Sequence, residues 1–561
     1  MPTLFEEVKR LLPEGTDDGR PATWTRCPAW PPDLFAVAST LVALSGCYSS
    51  PGHISPWVNR WHFSKAYLDE VTRVGKTWRE QPNRVPVAVQ RLWRTLLRRP
   101  GIEISRHDLR TRSWWDAALR LMAISDEASY GIGFVDPENE AFAAFVAQDL
   151  TKVFAKTNEL PFLPHSLCIK VPESETCVQP KTRTPQVGCT LRSLSHHLAL
   201  LPSVGDVRTR WLIGTHSATV QEKQRQSLNL LLVPFPYQID GSCFTSHRYE
   251  EPTGDEPEPR GAWNFFSIQQ NWLRWRGRKV SAQQIARFLV ELIRQASREV
   301  REVHGLILPE GALDDSRALA LARQLAKQTN LELFVSGSLY GREPDPQNQI
   351  WGNIFVNHRA YTFWVQSKHH RWSLDRSQIR TYHLGDALDP SRTWWERINV
   401  NRRECTFYVF RHGASLATFA CEDLARLEPV HAVVRSVGPN LLIVLLMDGP
   451  QIPERWPARY ATVFADDPGC AVLTLSSLGM VRRSSRPGER ESRQIALWKE
   501  PGGKTEPLTL PERAHGLLVT LANQWEDSFT LDGRWDHKTT STLSRVGVRP
   551  VQHPRPPAWL E

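Results

Sequence analysis

The chain contains no Cys-x-x-Cys pair, no Gly-x-Ser-x-Gly run and no apolar stretch long enough to cross a bilayer. Each absence excludes a class. The nine cysteines are scattered and odd in number, which argues against both a disulfide framework and a zinc site and fits a reducing compartment. The adjacent pairs His196-His197 and His369-His370 do not supply a two-ligand clamp either, because neighbours on a strand point to opposite faces; no metal and no cofactor are expected. Without Gly-x-Ser-x-Gly there is no serine-hydrolase elbow. Gly502-Gly503-Lys504-Thr505 mimics a phosphate loop, but Trp498 stands where its leading glycine belongs. The longest apolar runs, Leu34 to Cys47 and Leu441 to Met447, are too short for a membrane span. Met1 to Glu7 lacks the basic start and apolar run of a secretory leader, so the expectation is a cytoplasmic protein with no membrane partner.

What is present suits more than one domain. At 561 residues the chain is long enough for two or more cores, and its apolar content is ordinary. The net charge is +9, and from Arg73 to Arg112 eleven Arg and Lys face three acids, giving +8 in that stretch alone. Arg91, Arg94 and Arg98 share one helical face beside Trp93. Such a face is either a patch for nucleic acid or an acidic protein, or a solvated surface balanced by acids elsewhere, and the second reading is the simpler.

Residues 1–220 read as a mostly helical domain. Leu34 to Leu44 suits a buried helix, and Val87 to Leu97, Trp114 to Ile124 and Asn139 to Phe154 have helical patterns. Pro161 to Thr190 reads as extended. From residue 226 the pattern changes to alternating strands and helices, which implies a layered α/β domain over 226–550, followed by a Pro-rich tail at 551–561. Leu228 to Pro236 reads as its first strand, Ser281 to Val303 as a helix capped by Ser281, and Asp314 to Lys327 as a second helix. Cys243 to Trp275, with the acidic run Glu250 to Pro259, is a candidate lid or a packing surface for the first domain.

Three strand-like segments in this second half end on reactive side chains. Gly305 to Leu308 stops at Pro309 and delivers Glu310. Phe363 to Ser367 delivers Lys368, and Ala417 to Ala420 delivers Cys421, followed by Glu422, Asp423 and a helix-compatible segment. In open α/β sheets this edge collects active sites. The residue types fit the attack on an amide carbon. A thiol needs a base to take its proton and return it to the leaving amine, which a carboxylate can do. An ammonium offsets the like-charge repulsion between that carboxylate and a thiolate, and it also faces the developing oxyanion.

The ordered set Glu310, Lys368 and Cys421 resembles the carbon–nitrogen hydrolase (nitrilase/amidase) superfamily over roughly residues 226–550, and Cys421-Glu422-Asp423-Leu424 resembles its glutaminase-type branch. The resemblance implies an αββα four-layer sandwich, a general base at Glu310, an oxyanion-stabilising Lys368, a nucleophilic Cys421 and a backbone oxyanion donor at Glu422. It also implies a preferred homodimer and a small-molecule amide or nitrile substrate. The family's second glutamate falls at Arg376 here, with Asp375 beside it as a candidate substitute. Three functions stay open: a thiol hydrolase of non-peptide carbon–nitrogen bonds, a regulatory or effector protein working with a nucleic-acid or protein partner, and a binding module without catalysis.

Overall fold

The computed structural model describes residues 2–14, 24, 26–48, 64–82, 84–104, 112–134, 162–185, 187–212, 227–247, 264–341, 345–356, 359–400, 403–411, 414–485 and 491–560. The chain is a mixed α/β protein with two large sheets. One is ordered Phe162–Leu163, Arg208–Leu212, Glu404–Arg411, Ala414–Ala420, Leu441–Leu446, Ala471–Ser476, Gln494–Lys499 and Thr505–Thr509. The other runs from Arg359–Ser367 through Gln347–Val356, Leu333–Tyr340, Gly305–Ile307 and Leu228–Leu232 to Gly516–Glu526 and Thr540–Val551. At the centre of each sheet the strands are parallel, and their C-terminal ends share one edge.

The strand period of two decides what each sheet covers. Leu441, Ile443 and Leu445 enter one core, whereas Leu442, Val444 and Leu446 enter another. The first of these cores also takes Leu230 to Leu232, Leu306 to Leu308 and the apolar faces of the helices Ala282–Ala296 and Asp315–Gln328. The second is closed by Val430–Val437, Trp456–Asp466 and the helices of the N-terminal half. A strand with apolar residues on both faces has to be covered on both, which accounts for the unbroken run Leu441 to Leu446.

The N-terminal half begins with helices Leu4–Leu11, Pro31–Ser45, Lys65–Glu80, Val87–Leu96 and Arg112–Ala128. Beyond residue 160 it turns to strands, and one of them, Arg208–Leu212, pairs in parallel with Glu404–Arg411. The sheet that carries Cys421 therefore takes strands from both sides of the boundary expected near residue 220. The expected helix Asn139 to Phe154 lies outside the described residues, as does the acidic run Glu250 to Pro259. The hairpin flanking that run, Phe244–His247 and Asn264–Ile268, joins Trp394–Glu396 and Ser373–Leu374 in a four-stranded sheet.

Ser281 caps its helix as expected, its hydroxyl accepting from the Gln284 amide in a reciprocal capping box, but the helix ends at Ala296 rather than Val303. The segment after it carries Ser297 to Val303 into the strand at Gly305.

Close backbone approach fixes Glu310. Gly337, on the neighbouring strand, donates its amide to the Pro309 carbonyl at 3.1 Å. A Cβ at position 337 would lie 2.4 Å from the Glu310 Cα and 2.5 Å from the Gly311 nitrogen. Both contacts are backbone, so neither can rotate away. Gly337→Ala should cost about 1–3 kcal/mol, the usual penalty of overpacking, and displace Glu310. The check is a lowered thermal midpoint together with loss of whatever activity Glu310 supports; unchanged stability would refute this account of the turn.

Candidate active site

The three strand-end residues converge. Lys368 Nζ donates to Glu310 Oε1 at 2.8 Å, and all three of Glu310, Lys368 and Cys421 are only 2 % exposed. A second carboxylate closes the cluster: Lys368 Nζ also donates to Glu396 Oε2 at 2.7 Å. Asn348 bridges the two acids, its Nδ2 donating to Glu310 Oε1 at 2.7 Å and to Glu396 Oε1 at 2.8 Å. The Trp372 amide donates to Glu396 Oε2 at 3.1 Å. Glu396 ends the short strand Trp394–Glu396, which pairs in parallel with Asn264–Ile268.

Asp375 does not take the second acid's place. It is exposed and caps the helix Arg376–Thr381, accepting from the Gln378 amide at 2.8 Å. Its position near the lysine in sequence reflects a helix start, and Glu396 reaches the site from a separate element. Glu396 and Asn348 are the residues that sequence reasoning missed. The only signal for Glu396 is an acid directly after the apolar pair Trp394-Trp395, as Glu310 follows its own apolar strand.

Cys421 stands at a strained turn. It follows the strand Ala414–Ala420, begins a 3-10 turn through Leu424, and has φ 43°, in the left-handed region that a non-glycine residue seldom occupies. Holding it there costs of order 1–3 kcal/mol, which the surrounding packing must supply. Asp423 provides part of that restraint. Its buried carboxylate accepts from the His369 amide at 2.9 Å, the His370 amide at 3.0 Å and His370 Nδ1 at 3.1 Å. The turn that carries the thiol is thereby tied to the strand end that carries the ammonium. Gln366 makes a second tie between the sheets, donating to the Thr418 carbonyl at 2.8 Å and accepting from the Thr406 amide at 3.2 Å. Glu422, whose backbone was expected as an oxyanion donor, lies on the first turn after Cys421 and pairs its side chain with Arg426 at 2.8 Å.

The electrostatics follow from burial and proximity. Burial, and then the Glu310 charge, push the Cys421 thiol well above the ordinary range, while Lys368 works in the opposite direction. Burial raises the Glu310 carboxyl, with Lys368 opposing. Burial works against the Lys368 charge, yet Glu310 and Glu396 outweigh it and hold the ammonium well above the usual lysine range. Burial thus favours the neutral forms of Cys421 and Glu310, while the two acids favour the charged form of Lys368. Glu310 Oε1 is occupied by Lys368 and Asn348, and Oε2 has no hydrogen-bond partner among the described residues. A cavity of about 200 Å³, lined by Phe266, Gln270, Gln347, Glu396 and Arg397 among others, reaches the cluster at Glu396.

Arg91, Arg94 and Arg98 are exposed; Arg91 and Arg94 lie on the side of the helix Val87–Leu96 away from the buried Val89, Trp93 and Leu96, but Arg98 lies beyond the helix end, so the three do not share one helical face as expected. His196 and His197 come together with Glu127, their ligand atoms within 4.8 Å of one another. Arg534 already donates to Glu127 at 2.8 Å and to Asp126 at 2.9 Å beside them, so a cation occupies that acidic corner.

No protein-family model matches the chain, and no curated protein sequence does. Among solved structures the chain is similar to Saccharomyces cerevisiae Nit3, a member of branch 10 of the nitrilase superfamily, at 12% identity and TM-score 0.29, over 50% of this chain and 84% of that one. A glutamine-dependent NAD(+) synthetase from Cytophaga hutchinsonii matches at 10% identity and TM-score 0.26, over 52% of this chain and 42% of that one. A carbon-nitrogen hydrolase from Helicobacter pylori G27 matches at 10% identity and TM-score 0.25, over 57% of this chain and 88% of that one. At scores this low the likeness decides nothing; the arrangement of side chains does.

Glu396→Gln keeps the shape of the cluster and removes one of the two charges that balance Lys368. Breaking a buried pair in this way costs about 3–5 kcal/mol, and turnover should fall by at least ~100-fold. Asp375→Asn keeps a competent cap and should alter neither stability nor turnover by more than about twofold. Parallel denaturation and rate measurements on the two variants check the assignment, and the reverse ranking would restore Asp375.

Proposed function

We propose that the protein is a thiol hydrolase that cleaves a non-peptide carbon–nitrogen bond, of the amidase or nitrilase type, through an acyl-enzyme on Cys421. The observation that carries this reading is a cysteine at a left-handed strand-to-helix elbow whose thiol is under the influence of a buried Glu–Lys–Glu cluster. Glu310 Oε2 takes the thiol proton as sulfur attacks the carbonyl carbon, and returns it to the departing nitrogen. Lys368, together with the backbone N–H of Glu422, receives the charge that develops on the oxygen. Water then attacks the thioester with Glu310 again as base, releasing the acid and restoring the thiol. Glu396 and Asn348 position Lys368 and Glu310 and balance the ammonium.

The layering of the two sheets between helices supports the αββα reading of the second half. The surface with Arg91, Arg94 and Arg98 is what an acidic protein or nucleic acid would meet if the hydrolase is coupled to a partner, and a homodimer remains part of the proposal. A non-catalytic module has less in its favour, since its ground was a missing second acid and Glu396 stands in the cluster.

Incubation with a panel of amides and nitriles, followed by intact-mass measurement, should reveal an acyl adduct on Cys421 that Cys421→Ala abolishes. Turnover that survives Cys421→Ala refutes the mechanism. The pH profile gives a second check. Glu310 must be ionised to act, and its carboxyl is raised, so kcat/KM should fall on the acid side with a midpoint above the ordinary glutamate value of 4.5. Activity that holds level down to that value would exclude Glu310 as the base.

A further inference from the structure

A second group of buried polar side chains stands at the same sheet edge as Cys421 and takes no part in the mechanism above. The strand Leu441–Leu446 runs parallel to Ala414–Ala420, with Leu445 opposite Ala420, so Asp448 emerges just beyond the level of the nucleophile. Asp448 is 3% exposed, and its charge bears on the Cys421 thiol. Its Oδ1 accepts from the Tyr382 hydroxyl and from Arg455 Nη2, the latter at 2.5 Å; Arg455 Nη2 also reaches the Tyr382 oxygen at 3.2 Å. Its Oδ2 is buried and has no hydrogen-bond partner among the described residues. Leaving a buried carboxylate oxygen without a donor costs about 1–3 kcal/mol or more, and folding alone gives no return for it.

The charges point to what supplies that donor. Across the two buried clusters Glu310, Glu396 and Asp448 stand against the cations Lys368 and Arg455, so their formal balance is negative, and Glu310, Glu422 and Asp448 against Lys368 are the charges that bear on the sulfur. A positively charged ligand group would correct it, and a carboxylate would deepen it. Arg455 Nε has no partner among the described residues, but the guanidinium's Nη2 is committed to Asp448 and Tyr382, which leaves it a poor anchor for an anion.

Resting on the reading of the site as an amide-hydrolysing centre, we propose that Asp448 Oδ2 is a substrate-binding group for an ammonium, and that the substrate is a small amide carrying a primary amine. Tyr382 and Arg455 act as positioning residues that hold the carboxylate with its second oxygen turned to the ligand.

The test uses full-length protein and matched series of primary aliphatic amides, over several chain lengths, whose far ends differ only as ammonium, methyl or carboxylate. Wild-type kcat/KM for the best ammonium amide should exceed that for its carboxylate counterpart by about 30-fold or more. Asp448→Asn, which keeps size and an acceptor for Tyr382, should narrow that gap by about tenfold or more, mainly through KM. Binding is read in parallel by calorimetry on Cys421→Ala and on Cys421→Ala/Asp448→Asn, which needs no turnover. Ammonium-selective binding that depends on Asp448, without turnover of any amide by wild type, would sink the hydrolase reading and leave this inference standing. Turnover without ammonium preference would do the reverse. A preference for the carboxylate series in wild type assigns the subsite to Arg455 and overturns the proposal whatever the fate of the Asp448 variant, and no binding or turnover of any amide overturns both readings.

Discussion

Lys368 is a single cation held out of water by the carboxylates on either side of it. Burial works against the ammonium's charge, and the two carboxylates outweigh that penalty. Each of the three side chains comes from a different strand end, and Asn348, from a fourth strand, fixes the distance between the two acids. Most of the site's architecture serves this arrangement. Gly337 lets the Glu310 turn sit against its neighbour, and the hairpin at Asn264–Ile268 holds the strand that ends on Glu396.

The thiol is managed differently. It is placed by backbone geometry, through a left-handed residue at the end of a fully buried strand, and its turn is fastened by Asp423 to the amides of His369 and His370. That clasp rests on two main-chain donors, with His370 Nδ1 adding a third bond, so it ties the strand end that carries the ammonium to the turn that carries the sulfur mainly through backbone. Gln366 repeats the device one strand pair deeper. Two sheets packed through apolar side chains could slide by a fraction of a residue; directional bonds between them cannot be kept while they do.

Much of this was legible in the sequence where local chemistry dominates. Apolar runs that end on Glu310, Lys368 and Cys421 identified the strand ends, the cap at Ser281 located one helix start, and the helix expected from Asp314 begins one residue later, with Asp314 as its cap. Glu396 was not legible, because it depends on a short strand whose partner, Asn264–Ile268, lies far away in sequence, and three-residue strands leave almost no periodic signal. Asp375 misled for a physical reason: an aspartate near a strand end is as well suited to capping a helix as to catalysis, and here it caps. The boundary near residue 220 was drawn from a change in pattern. Parallel pairing between Arg208–Leu212 and Glu404–Arg411 joins segments that nothing local in either of them connects.

That pairing bears on how the molecule can be taken apart. With Arg208–Leu212 absent, Glu404–Arg411 would become a border strand carrying the buried Phe407 and Val409, with its outward row of main-chain donors and acceptors open to any other chain. The N-terminal helices that share a core with Phe419, Leu442 and Val444 would leave at the same time, while Val430–Val437 and Trp456–Asp466 would stay. A piece starting at residue 226 would thus be a sticky half-object rather than a smaller whole, and evolution would have had to swap or lose the front of this protein together with a share of the sheet that bears Cys421.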